Sequence, residues 1–484
     1  MRASLCVGSI VLWSATAVAE PSAAAWQTLA RNDIEAAYAL ITDNDPAVLP
    51  EVHDTAFVAT LRAAHDKALA HVAAVSSFEG YRAVIAELAL SLGDGHLQSR
   101  TLIEPREVRW AGVIAARRGT SWVVASDDPA LTGEDLTGAR IVSCDQQPID
   151  AVAHDALAYR AQPGVEASTI LRAGWLLVDD GNPFIHRPRA CRFERNRQVT
   201  DVALRWTAID LAELRAKFWK PPVGHAGFGA HPADAGGYWI AIETLGQEAQ
   251  AVLDTVQAAL PTVRAARYVV VDLRGNGGGN DLYGRMLANQ LYGDAHAAAV
   301  LGPMPDDSAS CQEAWRASPD NLAALEALLA SRKQHHEVAA IAGLTAAVAD
   351  LKAAIAQGRA LTGPLTCPPI AKPRVQTPPA MRAPIFVLTD AVCFSSCIGT
   401  LDMFRKLGAI QIGQSSSADT HNSEVREIHL PSGLSTFSTL QAIIPDAPYR
   451  IGPFTPAHAF AGDIADTAAL ARWITETVLP AHRR

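Results

Sequence analysis

Apolar residues recur at three- and four-residue spacing in two N-terminal stretches, Asp33-Ile-Glu-Ala-Ala-Tyr-Ala-Leu-Ile41 and Phe78-Glu-Gly-Tyr-Arg-Ala-Val-Ile-Ala-Glu-Leu88, a spacing that predicts helices with one buried face. The segment from Trp26 to Leu92 therefore reads as a small helical bundle. It ends at Gly93-Asp94-Gly95-His96, where two glycines stop the helix. From Val108 to Trp206 the pattern changes to short β-rich runs, Trp122-Val-Val-Ala-Ser126 and Ala139-Arg-Ile-Val-Ser-Cys144, and a turn at Asp145-Gln-Gln-Pro-Ile-Asp150 leads into a helical stretch after Ala151. A third pattern begins near Gly236. Tyr238–Ile242, Tyr268–Leu273, Ile385–Thr389 and Ile410–Ile412 are apolar runs of strand length, of the kind buried on both faces. Helical stretches, Ala249–Leu260 and the segment running to Leu407, alternate with them and indicate an α/β core. An Ala/Leu-rich helical insertion, Asn321–Gln357, and a Pro-rich linker, Pro364–Pro384, separate the two halves of that core. There is no internal repeat.

The first residues carry a different signal. Met1-Arg2 is followed by an apolar stretch from Leu5 to Trp13 and by Ala17-Val18-Ala19, the small-x-small pattern of signal-peptidase cleavage. Residues 1–19 are expected to be a signal peptide cleaved before Glu20, and Cys6 has the wrong neighbours for a lipoprotein anchor. No later segment has about 18 uninterrupted apolar residues, so no transmembrane anchor is expected after cleavage, and the location is periplasmic or secreted. Six cysteines then remain: Cys144, Cys191, Cys311, Cys367, Cys393 and Cys397. An even number in an exported chain suits disulfides. Cys144–Cys191 and Cys311–Cys367 are the natural pairs by segment, while Cys393 and Cys397 are open to either a bridge or two free thiols. A 49% hydrophobic, 19% charged composition excludes disorder, and a net charge of −9 without a basic run argues against nucleic acid as a partner.

Three segments carry candidate chemistry. Asp272-Leu-Arg-Gly-Asn-Gly-Gly-Gly-Asn280 follows a buried strand, and its glycines let backbone N–H groups approach a ligand. It is not a dinucleotide fingerprint, because position 280 is Asn280. Asp390-Ala-Val-Cys-Phe-Ser-Ser-Cys397 lies between an apolar strand and a helix, where a nucleophile is exposed and the helix N-terminus favours negative charge. Ser395 and Ser396 could equally cap that helix. His96 sits in a glycine turn, a placement open to a general base and to an ordinary surface histidine alike. His336-Glu337 is not a zinc-protease motif, since position 340 is Ala340 rather than a second histidine. Nothing in these patterns calls for a metal or an organic cofactor.

In combination and in this order, Leu92-Gly-Asp-Gly-His96, Asp272–Gly279 and Cys393-Phe-Ser395 followed by Gly408-Ala-Ile-Gln-Ile-Gly413 resemble the carboxy-terminal-processing (tail-specific) serine peptidases. That family also holds the tricorn core protease and the retinoid-binding repeats, and Leu430-Pro-Ser-Gly433 has its look as well. The resemblance implies an α/β fold with a crotonase-like core, preceded by a helical N-terminal region and a PDZ-like β-rich domain. The divisions it suggests are 20–100 helical, 101–207 PDZ-like and possessing no clear peptide-binding loop, and 208–480 peptidase core with a helical insertion at 303–380. It implies Ser395 as nucleophile and backbone N–H groups of Gly278 and Ser396 as oxyanion donors, with peptides or unfolded proteins as substrates. In the branch that uses a lysine base, the lysine stands about two dozen residues after the serine. Here that stretch is Ser417-Ala-Asp-Thr-His-Asn422, and Lys406 is about three helical turns from Ser395. The tricorn-like branch instead implies His96 as base, although Gly95 replaces the serine often found before it. The acidic third member is assigned to Glu424, with Asp94 the second choice, and Gly413-Gln414 stands where family members often have Gly-Glu. The other class of function open to such a chain is a catalytically inactive protein that binds peptides or apolar ligands. Further expectations are a pH profile rising through an imidazole pKa near neutrality and an insertion that covers the site. Oligomeric state is not legible.

Overall fold

The computed structural model describes residues 21–105, 107–218, 227–304, 313–335, 338–367 and 377–482. The expected signal peptide, Cys311 and His336-Glu337 lie outside them. The chain is a mixed α/β protein with a helical N-terminus and several sheets.

The central sheet has six strands in the order Phe228–Ala233, Gly237–Ile242, Val269–Asp272, Ile385–Thr389, Ile410–Gly413 and His458–Ala459. The first pair is antiparallel and the other neighbours are parallel. Both faces of its middle strands are covered, which explains their unbroken apolar runs. Val269, Val271, Ile385 and Val387 pack against the helices Glu248–Ala258, Leu282–Tyr292 and Ser396–Lys406. Val270, Phe386 and Leu388 face the C-terminal helix around Leu470 and Ile474. Two turns at the C-terminal ends of adjacent parallel strands, after Asp272 and after Thr389, carry the glycine-rich and serine-bearing segments. Such strand ends are the usual place for a site in an open parallel sheet.

The N-terminal helices Ala23–Asn44, Thr55–His71 and Phe78–Ser91 share a core that includes Phe437 and Leu440. These two residues belong to the long antiparallel hairpin Asn422–His429 with Ser435–Ile443, which also pairs with Ser99–Thr101 and Ala314–Trp315. A buried polar knot fastens the hairpin turn to the helices. Asp33, with no exposed surface, accepts from the Tyr81 hydroxyl at 2.5 Å, the Ser432 hydroxyl at 2.6 Å and the Ser432 N–H at 3.0 Å. Burial, then the bond to Asp33, pushes the Tyr81 phenol well above its ordinary pKa. Replacing Asp33 by alanine strands these donors. The expected cost is about 3 kcal/mol, read as a lowered midpoint in denaturant; an unchanged midpoint contradicts the role given to the knot.

A third sheet contains Val113–Arg118, Ser121–Asp127, Arg140–Cys144, Ala190–Arg195 and Gln198–Ala203, with a short strand Gln147–Pro148. Cys144 and Cys191 face one another across neighbouring strands and are disulfide-bonded. Cys393 and Cys397 are bonded too. Cys367 is also in a disulfide.

The insertion forms the helices Pro319–Gln334 and Val338–Ala356. Leu325, Leu329, Val348 and Leu351 pack between them and onto Trp315 and Ala442 at the hairpin. Asn321 donates to the Asn44 carbonyl at 3.0 Å, fastening the insertion to the N-terminal helices. No described residue of these two helices lines the cavity bounded by Val392 and Phe394 of the serine turn.

Candidate active site

Ser395 ends the turn between the strand Ile385–Thr389 and the helix Ser396–Lys406. Its backbone lies at φ 57°, ψ −131°, a region that L residues avoid and that is found where a fold imposes strain at a functional position. The side chain makes no capping hydrogen bond, so the capping role open to it from sequence is not used. The Ser396 hydroxyl points elsewhere, donating to the Gly279 carbonyl at 2.6 Å. The Cys393–Cys397 bridge spans the serine turn, and neither cysteine has exposed surface. Both thiols are thereby removed as rival nucleophiles, since the thiolate is the reactive species.

His96 comes from the turn after the helix Phe78–Ser91 and meets Ser395 across 299 positions of chain, with Nε2 3.3 Å from Oγ. Its ring packs on Phe394 at 4.4 Å between centroids. Gly95 makes that contact possible, because a Cβ there would stand 2.7 Å from the Phe394 ring. The serine often found at this position in the resembled family would not fit without moving Phe394. Hydrogen bonds from the neighbouring hairpin hold the backbone at His96. The Ser438 hydroxyl donates to the His96 carbonyl at 2.6 Å and accepts the Gln98 N–H at 2.6 Å.

Behind the imidazole stand two carboxylates. Nδ1 is 3.1 Å from Asp419 Oδ1 and 3.4 Å from Asp94 Oδ1. Both are ion-pairing distances, without a well-aligned hydrogen bond to either oxygen. Asp94 is buried; its Oδ1 accepts the His96 backbone N–H at 2.8 Å and its Oδ2 the Thr420 hydroxyl at 2.5 Å. Burial alone would lower the His96 pKa, but the close carboxylates of Asp419 and Asp94 outweigh it and raise it to about 10. Burial opposes ionisation of Asp94 as well, yet His96 and Thr420 hold its pKa below the usual value.

Glu424, the sequence-based choice for the third member, is not brought to His96. Partial burial and the adjacent Glu313 carboxyl, to which it hydrogen-bonds, raise its own pKa to about 7. The acid beside the imidazole is instead Asp419, in the stretch where the lysine branch would carry its base. Asp94, the second choice, is present too. Although Asp94, His96 and Asp419 offer oxygen and nitrogen atoms within 4.8 Å of one another, the imidazole joins both carboxylates to Ser395, which accounts for the cluster without an ion.

The glycine turn is braced from below. Asp272 and Arg274, both buried, form a 2.7 Å ion pair. Asp272 also accepts from the Trp239 indole at 3.1 Å, and Arg274 donates to the Ile464 carbonyl at 2.8 Å. Buried Asn276 donates to the Ile242 carbonyl and accepts the Gly278 N–H, each at 2.9 Å. The Gly278 N–H expected to face an oxyanion is therefore occupied. Gly278 nevertheless lies against the serine. At φ 112°, any Cβ would be 2.8 Å from Ser395 Cβ and 3.2 Å from Ser396 N. Among the described residues the Ser396 N–H has no hydrogen-bond partner, and it starts the helix at the end that favours negative charge.

A serine in a strained strand-to-helix turn, an imidazole against its hydroxyl and carboxylates behind that imidazole make the arrangement used for nucleophilic acyl transfer. The fold is that of CPAF. Mature CPAF matches with a TM-score of 0.59 at 14% identity, over 95% of this chain and 99% of that one. CPAF complexed with lactacystin gives 0.58 at 13%, over 95% and 100%, and a CPAF mutant gives 0.60 at 12%, over 94% and 96%. No family model matches the chain, and no curated protein does.

Proposed function

We propose that the protein is a serine peptidase of the carboxy-terminal-processing family that cleaves peptides or unfolded proteins through an acyl-enzyme on Ser395. The observation that carries this is the 3.3 Å approach of His96 Nε2 to the hydroxyl of a serine held at φ 57°. In the proposed cycle neutral His96 takes the Ser395 proton as Oγ attacks the peptide carbonyl. Asp419 and Asp94 stabilise the imidazolium so formed. The Ser396 N–H receives the oxyanion, and Gly278 can join it only by leaving Asn276 Oδ1. Imidazolium then protonates the leaving amine, and His96 activates a water that releases the acid.

In the same reading the parallel sheet and its helices form a crotonase-like core, and the sheet closed by Cys144–Cys191 is a PDZ-like domain within 101–207. The chain is exported, with residues 1–19 as its signal. Disulfides at Cys144–Cys191 and Cys393–Cys397 support an oxidising compartment, and no helix among the described residues is long and apolar enough to cross a membrane.

The charge state of His96 provides a test. With its pKa raised to about 10, the imidazole is mostly protonated at pH 7, and the competent neutral base accumulates as pH rises. Hydrolysis of an unstructured protein or a fluorogenic peptide should therefore climb between pH 7 and 10, rather than level off just above neutrality as for an ordinary histidine. No hydrolysis of any peptide across this range would remove the peptidase reading. A plateau by about pH 7.5 would remove the two-carboxylate account of His96.

A further inference from the structure

The segment Cys393-Phe-Ser-Ser-Cys397 carries both groups that the proposed cycle places at the reacting carbonyl, the Ser395 hydroxyl and the Ser396 N–H. The Cys393–Cys397 disulfide closes this segment into a ring with Ser395 at its midpoint. The two ends of the ring belong to different elements. Cys393 lies in the turn after the strand Ile385–Thr389, and Cys397 lies in the first turn of the helix Ser396–Lys406. Neither has exposed surface, and both sit in the core shared by Val387 of the strand and by Leu287, Ile398 and Leu401 of the helices.

The ring also meets the other parts of the site. The Cys393 carbonyl accepts the Ser417 N–H at 3.0 Å, in the stretch that carries Asp419. The Cys397 N–H donates to the Phe394 carbonyl at 3.1 Å, and the Phe394 N–H donates to the Asn276 carbonyl of the glycine turn at 3.4 Å. Ser395 itself stands at φ 57°, ψ −131°, with no capping bond from its side chain. Backbone of this kind is disfavoured against relaxed conformations by about 5- to 150-fold in population, and it persists only where the surroundings leave no alternative. The hydrogen bonds around the turn can be exchanged for bonds to water. The covalent ring cannot.

We propose that the Cys393–Cys397 bridge is a positioning element of the peptidase, holding Ser395 and the Ser396 N–H in reacting geometry, so that full turnover is gained only when the bridge forms. The inference rests on the peptidase reading and adds a condition to it. Formation is thiol–disulfide exchange with a disulfide-bearing oxidant. The two thiols give up two protons and two electrons, one Sγ–Sγ bond forms, the oxidant's S–S bond breaks, and the oxidant leaves as a dithiol. Because both sulfurs are buried once the turn has packed, the exchange belongs to the folding chain. A chain that folds in a reducing compartment stays at the low, unbridged turnover.

The test compares the full mature chain with Cys393→Ala, Cys397→Ala and the double variant, and with Cys144→Ala/Cys191→Ala as a bridge removed elsewhere. Each of the first three should lower kcat on a fluorogenic peptide by about 10- to 100-fold, with KM within about twofold. The double variant should be no worse than either single one, because the same bond is lost in every case. Labelling of Ser395 by a fluorophosphonate should slow by the same factor. The rising limb of the pH profile should stay in place, since His96 and its carboxylates are untouched. A bridge that only stabilised the fold would lower the unfolding midpoint and leave the kcat of folded protein alone, which is the result expected for Cys144→Ala/Cys191→Ala. A double variant with wild-type kcat, or an equal loss of kcat in Cys144→Ala/Cys191→Ala, overturns the proposal. If the Cys393 and Cys397 variants do not fold, the Cys144→Ala/Cys191→Ala protein is refolded from urea over a series of reduced-to-oxidised glutathione ratios. Turnover should rise with the fraction bridged at Cys393–Cys397, counted by differential alkylation and peptide mass spectrometry, and turnover independent of that fraction overturns the proposal. Wild-type protein that neither cleaves nor labels removes the peptidase reading and this proposal together, whereas an active wild type matched by its double variant removes this proposal alone.

Discussion

Ser395→Ala and His96→Ala are each expected to lower turnover by about 10⁵- to 10⁶-fold, and the double mutant is expected to be little worse than either. Non-additivity follows from the geometry. In the proposed mechanism the imidazole acts only through the hydroxyl 3.3 Å away, so once one partner is lost the other has nothing to activate or to be activated by. Ser396→Ala should be mild by comparison. Its hydroxyl is bound to the Gly279 carbonyl, and the group placed to receive an oxyanion is its backbone N–H, which alanine keeps. Peptide hydrolysis by the four proteins, with folding checked by thermal unfolding, reads this out. Effects of Ser395→Ala and His96→Ala that multiply in the double mutant would mean that the two do not act as a unit.

The second large effect concerns the acid. Asp419→Ala is expected to lower kcat by about 10²- to 10⁴-fold, less than loss of a lone acid because Asp94 remains 3.4 Å from His96 Nδ1. With one of the two charges that raise its pKa removed, His96 should titrate lower, and the rising limb of the pH profile should move down from about 10 toward the ordinary imidazole value. Glu424→Gln should leave both kcat and the limb nearly unchanged, since its carboxyl is engaged with Glu313. A Glu424→Gln protein as impaired as Asp419→Ala would reverse this assignment.

The contrast between these acids shows what the sequence can reveal. Ser395 and His96 were legible because each lies in a local signal, a strand-to-helix turn or a glycine turn, whose conformation is decided by neighbours in the chain. The apolar strands of the central sheet were legible for a similar reason, as burial on both faces leaves an unbroken run. Asp419 gives no such signal. It sits in a polar stretch, and only the packing of the hairpin onto the N-terminal helices brings it to His96. The hairpin strand Ser435–Ile443 was hidden too. All nine of its residues are buried, yet Ser435, Thr436, Ser438, Thr439 and Gln441 interrupt the apolar pattern, and Ser438 is the residue that holds the His96 backbone. The glycine turn was half legible. Successive glycines predicted backbone N–H groups free to approach a ligand, and Gly278 does lie against the serine, but they could not show that Asn276 would take the Gly278 N–H.

The most direct test of the central claim is labelling with a fluorophosphonate followed by peptide mass spectrometry to locate the adduct. The predicted result is a single adduct on Ser395, formed faster as pH rises from 7 toward 10, absent in Ser395→Ala and nearly absent in His96→Ala. No adduct on the folded wild-type protein, or one that persists undiminished in Ser395→Ala, would contradict it.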